Sequence, residues 1–199
     1  MLYILRHAET NANRSSGERV RGHGDMSLDA GGRTEARKAA KTLNTLNIDE
    51  IIASPIKRAQ ETAEIISSTL DIPFSTDDGL ETWDTGFLTG LLVEKAARGV
   101  TYYEINHETA VPDGEKYGDF YRAWAKTFWK YYNMKDDKVR LLITHGRNVS
   151  TLQAVLKKES VSTPDWGRVP SNGSILCIDG NPPKMELIEG HFEDKAIKS

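Results

Sequence analysis

Residues Leu2–Thr10 read LYILRHAET, and the placement of their polar residues decides how the chain folds. Leu2 to Leu5 are too few for a helix and suit a short strand buried on both faces. Taken alone, Arg6 and His7 could cap that strand in solvent, or the strand could be aimed at something that needs them. Two further segments are built the same way. IIASPIKR (Ile51–Arg58) and LLITHG (Leu141–Gly146) each run from an apolar strand into polar residues at its far end.

Working outward, helical patterns separate these strands. Ala30–Leu46 places Ala36, Ala39, Ala40 and Leu43 at helical spacing. A second helix begins at Ser54-Pro55, with Ser as N-cap and Pro in the first turn, and carries Ala59, Ala63, Ile66 and Leu70 along one side. A third, near Tyr117–Asn133, bears Phe120, Tyr121, Trp124, Phe128, Trp129 and Tyr132, a stripe that reads as core. A helix from His145-Gly146 through Leu156 follows the strand Lys138–Thr144. Further strands are expected at Asp49–Ala53, Ile72–Ser75, Ser174–Ile178 and Met185–Ile188. Strand and helix in alternation predict a three-layer α/β/α sandwich with a mostly parallel central sheet. Residues from about Gly79 to Asp119 read as a small irregular cap over the C-terminal strand ends. The whole chain, 1–199, reads as one domain, with a frayed tail from about 193.

Composition excludes several classes of function. The 199 residues are 38% apolar and 28% charged, with a net charge of −3. That balance offers no electrostatic footprint for nucleic acid or an anionic membrane. No apolar run approaches the roughly 20 residues that span a bilayer. The N-terminal apolar stretch stops at Arg6, too short for a signal peptide. The single cysteine, Cys177, cannot form an internal disulfide. A cytoplasmic home is expected, and no cofactor or metal is called for.

In a parallel sheet the strand C-termini lie on one side, where open α/β folds bind ligands. Arg6, His7, Arg58 and His145 should therefore converge. Two arginines and two histidines at one edge make an anion site, because guanidinium forks match phosphate oxygens and stay charged. Arg58, near the positive start of its helix, would be compensated by such an anion.

With these motifs in order, the chain resembles the histidine phosphatase (phosphoglycerate mutase-like) superfamily over nearly its whole length. Arg6-His7-Ala8-Glu9-Thr10 with Asn13 resembles RHGxTxxN, with Ala8 where Gly is usual. Arg19 to Ala36 fits RxxGxxDxxLxxxGxxxA, SPIKRAQETA resembles SPLxRAxQTA, PDGEKYGDF resembles the PGGES segment, and ITHGRNV carries the second histidine. The resemblance implies that His7 attacks phosphorus and becomes a phosphohistidine. Arg6, Arg58 and His145 would clamp the oxygens, with His145 most useful if protonated. Asn13, Arg21 and Gly146 would contact the ester.

The pattern departs at the proton donor. LxExxxGxxxG places Glu four residues before the first Gly, and here that position is Thr82. Glu81 is the favoured donor, with Asp84 and Glu115 as alternatives. An easy leaving group would need none. The expected activity is metal-independent hydrolysis of a small phosphate monoester. A phosphoglycerate mutase and a non-catalytic phosphate-binding module are the competing readings. Arg14, Arg19 and Arg33 could widen the positive field or be solvated. Trp83, Phe87, Tyr102 and Tyr103 could wall a pocket or pack the cap. His23, His107 and His191 fit no motif, although His23 could border the site. The physiological substrate and the oligomeric state cannot be read from the chain.

Overall fold

A computed structural model describes residues 1–13, 17–165 and 169–193, and the backbone alone of Asn13. Its centre is a six-stranded sheet of β1 (Leu2–Arg6), β2 (Glu50–Ala53), β3 (Phe74–Thr76), β4 (Arg140–Thr144), β6 (Ile175–Asp179) and β7 (Lys184–Glu189), in the order β3-β2-β4-β1-β6-β7. The first four in that order are parallel, and β6 and β7 join antiparallel beyond β1. A two-residue pair, β5 (Val169–Pro170) with β8 (Phe192–Glu193), lies outside this sheet. Glu193, expected in the frayed tail, thus belongs to a strand; the rest of that tail lies outside the described residues.

Period-two alternation sends neighbouring residues of each strand into two different cores. Tyr3, Leu5, Ile51, Leu141 and Ile143 face α1 (Ala30–Leu43) and α2 (Lys57–Leu70), where Ala39, Ala40, Leu43, Ala59, Ala63 and Ile66 are buried. Leu2, Ile4, Ile52 and Leu142 face the other way, toward α4 (Tyr117–Tyr132), α5 (Gly146–Ser150) and α6 (Leu152–Leu156). Phe120, Tyr121, Trp124 and Phe128 of the aromatic stripe fill that second core, with Trp129 and Tyr132 at its margin. Two buried faces explain why the strands read as continuous apolar runs. No helix among the described residues is long and apolar enough to cross a membrane.

Three expectations change. The cap is not irregular throughout: a 13-residue helix, α3 (Val93–Ile105), runs through it. Its sequence, VEKAARGVTYYEI, dilutes the helical period with Gly, Thr and two Tyr, all modest helix formers. Secondly, α2 starts at Lys57, and Ser54 does not cap it. The Ser54 hydroxyl instead accepts from the Ile56 N–H at 3.2 Å and meets His145 Nε2 at 2.8 Å. Thirdly, the helix after His145 is two short ones meeting at Thr151, where the hydroxyls of Ser150 and Thr151 bond back to the Arg147 carbonyl. Such back-bonding competes with a continuous ladder.

Candidate active site

β1, β2 and β4 end on one side, and the residues just beyond them form the floor of a cavity of about 490 Å³. Arg6 is the last residue of β1 and His7 the next; His145 follows β4 directly. Arg58 reaches the same place from the first turn of α2. All four are almost fully buried, at 1% exposure for Arg6, His7 and Arg58 and 2% for His145.

The backbone fixes the state of His7. Its Nδ1 lies 2.8 Å from the carbonyl oxygen of its neighbour Ala8. A carbonyl can only accept, so the proton sits on Nδ1 and the lone pair on Nε2. Arg58 Nε lies 3.3 Å from that Nε2, which accepts from it. Burial, then Arg58 and Arg6, hold the His7 pKa well below the imidazole range. The ring is therefore neutral, with its nucleophilic nitrogen turned toward the guanidinium. His145 packs edge-on at a ring separation of 5.2 Å. Burial and then Arg58 also push its pKa well down, which favours the neutral ring, whereas the clamping role read from the sequence is best served by a protonated one. Its Nε2 meets Ser54, while its Nδ1 is buried without a hydrogen-bond partner among the described residues.

The arginines are held as firmly. Arg58 donates to the carbonyl oxygens of Gly22 at 2.8 Å and Gly24 at 3.2 Å. Arg6 Nη1 donates to the Pro170 carbonyl and lies 3.6 Å from Glu193 Oε2. Burial comes first in lowering their pKa values, to about 10 for Arg6 and about 9 for Arg58, with Arg21 adding to it. Cations this deep, packed together, are costly unless an anion joins them. Gly146 touches the same assembly from above: a Cβ there would stand 3.0 Å from Arg6 Nε and 3.2 Å from its Cζ. The absence of a side chain there lets the guanidinium pack without a tight contact.

The walls differ from expectation. Arg21 lines the cavity and pairs with Glu18 at 3.3 Å. Thr82 lines it; Glu81 does not, and its carboxylate lies 4.0 Å from His23 Nε2. That His23 nitrogen donates to the Thr82 carbonyl at 2.6 Å, so His23 does border the site. Asp84 Oδ1 accepts from the Gly86 N–H at 3.1 Å, and Glu115 Oε1 from the Asp84 N–H at 2.9 Å. Burial raises the pKa of Glu81 and of Glu115. None of the three expected donors lines the cavity, whereas Glu18 and Glu94, which no motif marked, do. Trp83 lines the cavity and is fully buried; Phe87 and Tyr102 are about half exposed, at 51% and 53%, and stand outside its lining. Arg33 pairs with Glu61 at 3.5 Å, away from the site. The Asn13 side chain and Arg14 lie outside the described residues. Among the described residues no cluster of three or more His, Cys, Asp or Glu is arranged to hold a metal ion.

Besides Glu18 and Glu94, Ser54 is a further residue of the site that sequence reasoning missed. The Ser-Pro step reads equally well as a helix start, and only the fold brings its hydroxyl to His145.

The chain is similar to several known proteins. "Probable phosphoglycerate mutase GpmB" of Citrobacter koseri is 33% identical over 170 residues, covering 83% of this chain and 76% of its own. "Uncharacterized phosphatase PhoE" of Bacillus subtilis is 33% identical over 95 residues, 48% of each chain. Among solved structures, a mycobacterial glucosyl-3-phosphoglycerate phosphatase with bound VO3 superposes with a TM-score of 0.76 at 24% identity, over 96% of this chain and 98% of that one. The alpha-ribazole phosphatase of Shigella flexneri gives 0.74 at 21%, over 97% and 96%. The model of the histidine phosphatase superfamily, branch 1, matches residues 2–189, and this chain belongs to that superfamily.

Proposed function

We propose that the protein hydrolyses small phosphate monoesters through a phosphohistidine on His7, without a metal ion. The observation that carries this is the neutral His7 ring, its Nδ1–H held by the Ala8 carbonyl and its Nε2 among buried guanidinium groups. The Nε2 lone pair attacks phosphorus and the ester P–O bond breaks. The leaving oxygen takes a proton, and water then cleaves the P–N bond, releasing phosphate and restoring the ring. Arg6, Arg58 and His145 neutralise the charge on the transferring group, which is the greater part of what this chemistry requires. With Thr82 where a carboxylate would stand, esters of acidic alcohols are the better substrates.

The test is turnover of an aryl phosphate in chelator, with acid quenching to trap an acid-labile phosphoenzyme. His7→Ala should abolish both while the protein stays folded, a loss of at least about 10⁴-fold. Unchanged turnover in that variant refutes the proposal. The names of the GpmB relatives favour a second reading, a phosphoglycerate mutase. It predicts that a monophosphoglycerate isomerises faster than it is hydrolysed. Phosphate binding with no phosphoenzyme at all would instead mark a binding module.

A further inference from the structure

Above the cationic floor the cavity changes character. One side is a face of α3, where Val93, Ala97 and Val100 recur at i, i+4 and i+7 and all line the cavity. Val20, Trp83 and Val169 close the other sides. Val93 is 38% exposed, so its methyl groups are open to a ligand.

Two of the arginines in this upper compartment are held in ion pairs. Arg21 pairs with Glu18, and Arg147, stacked over the Trp83 ring at 4.9 Å, pairs with the buried Glu104. Arg19, whose Nη1 donates to the Gly90 carbonyl at 2.7 Å, shares the lining with Glu94. Arg21 and Arg147 are thus each engaged by a carboxylate, which leaves them less free to take a second anionic group. An anionic substituent placed there would meet apolar side chains and lose its hydration uncompensated. A ring or a branched chain would exchange water for Val93, Ala97 and Val100.

We infer that the α3 face forms a leaving-group subsite that selects phosphate monoesters of uncharged, apolar or ring-bearing alcohols and disfavours esters bearing a second anion. This rests on the phosphatase reading of the floor. Val93 and Val100 are the specificity-determining residues.

Titration calorimetry of the full chain with three non-hydrolysable phosphonates tests it apart from turnover. Benzylphosphonate should bind at least about tenfold tighter than methylphosphonate, the discrimination that a small apolar contact supplies. Phosphonoacetate, which carries a second anion, should bind no tighter than methylphosphonate. Val100→Asn should shrink the benzyl-to-methyl ratio about tenfold, and Val93→Asn, at an exposed position that tolerates a polar side chain, should shrink it in the same direction. Phosphonoacetate binding tighter than benzylphosphonate, or a ratio unmoved in both variants, overturns the subsite. If methylphosphonate binds and the phosphoenzyme forms but benzyl gives no advantage, the subsite fails and the phosphatase reading stands. If no phosphonate binds and no phosphoenzyme forms, both fall.

Discussion

The floor and the wall of this cavity are made on opposite terms. Floor residues are buried, polar and fixed by backbone partners: Ala8 for His7, Gly22 and Gly24 for Arg58, Pro170 for Arg6. Wall residues on α3 are small, apolar and partly open to solvent, and their helix joins the second core at its margin through Ala96 and Val100. The floor can hold a single chemical group in one pose. The wall can change its preference without disturbing the sheet. Chemistry and specificity are therefore housed in separable parts of the molecule.

The sharpest way to break that separation is to damage the floor and look for effects on every ester alike. Arg58→Met keeps the stem of the side chain and removes the guanidinium. Turnover should fall by about 10²–10³-fold for aryl and alkyl phosphates equally, as when one transition-state donor is lost. A loss confined to one class of ester would mean that Arg58 reads the leaving group.

A wall substitution should do the reverse. Thr82→Glu puts a carboxyl at a position that lines the cavity. A general acid contributes about 10²–10⁴-fold where the leaving oxygen is basic. The alkyl-to-aryl ratio of kcat/KM should rise by about 10-fold or more, with aryl phosphates little altered. An unmoved ratio would show that leaving-group protonation does not limit the reaction.

The smallest effect concerns stability. Unfolded histidines take up a proton near pH 6.5, whereas burial and neighbouring arginines keep His7 and His145 neutral in the fold to much lower pH. Between those two points the unfolded chain binds more protons, so stability is intact above about pH 6.5 and falls as pH drops below it. Each histidine contributes up to ~1.4 kcal/mol per pH unit. Urea midpoints from pH 7.5 to 5 should decline less steeply in a His7→Asn, His145→Asn double variant. An equally steep decline would place the acid sensitivity in other groups.

The same division governs what could be read from the chain. His7, Arg58 and His145 sit at or near strand ends, where a short local motif fixes their place, and the sheet order follows from apolar runs punctuated by helices. Val93 and Val100 carry no motif, and Gly99 with Thr101 weakens the periodicity that would have revealed α3. Glu18 and Glu94 reach the cavity only through the packing of the cap, a long-range outcome with no local signature. Thr82 was legible by counting back from Gly86, yet which of Glu81, Asp84 and Glu115 stands near the cavity depends on backbone turns that spacing does not encode. Ser54 was hidden by its own plausibility as a helix cap.

Gly146 is the seam between the two parts. The residue before it, His145, belongs to the floor, and the residue after it, Arg147, stacks on Trp83 in the wall. Its missing side chain sets how closely α5 approaches the Arg6 guanidinium. For anyone diversifying the cavity to reach new esters, α3 is open ground, whereas position 146 is tied to the floor: a single methyl there presses on the Arg6 guanidinium.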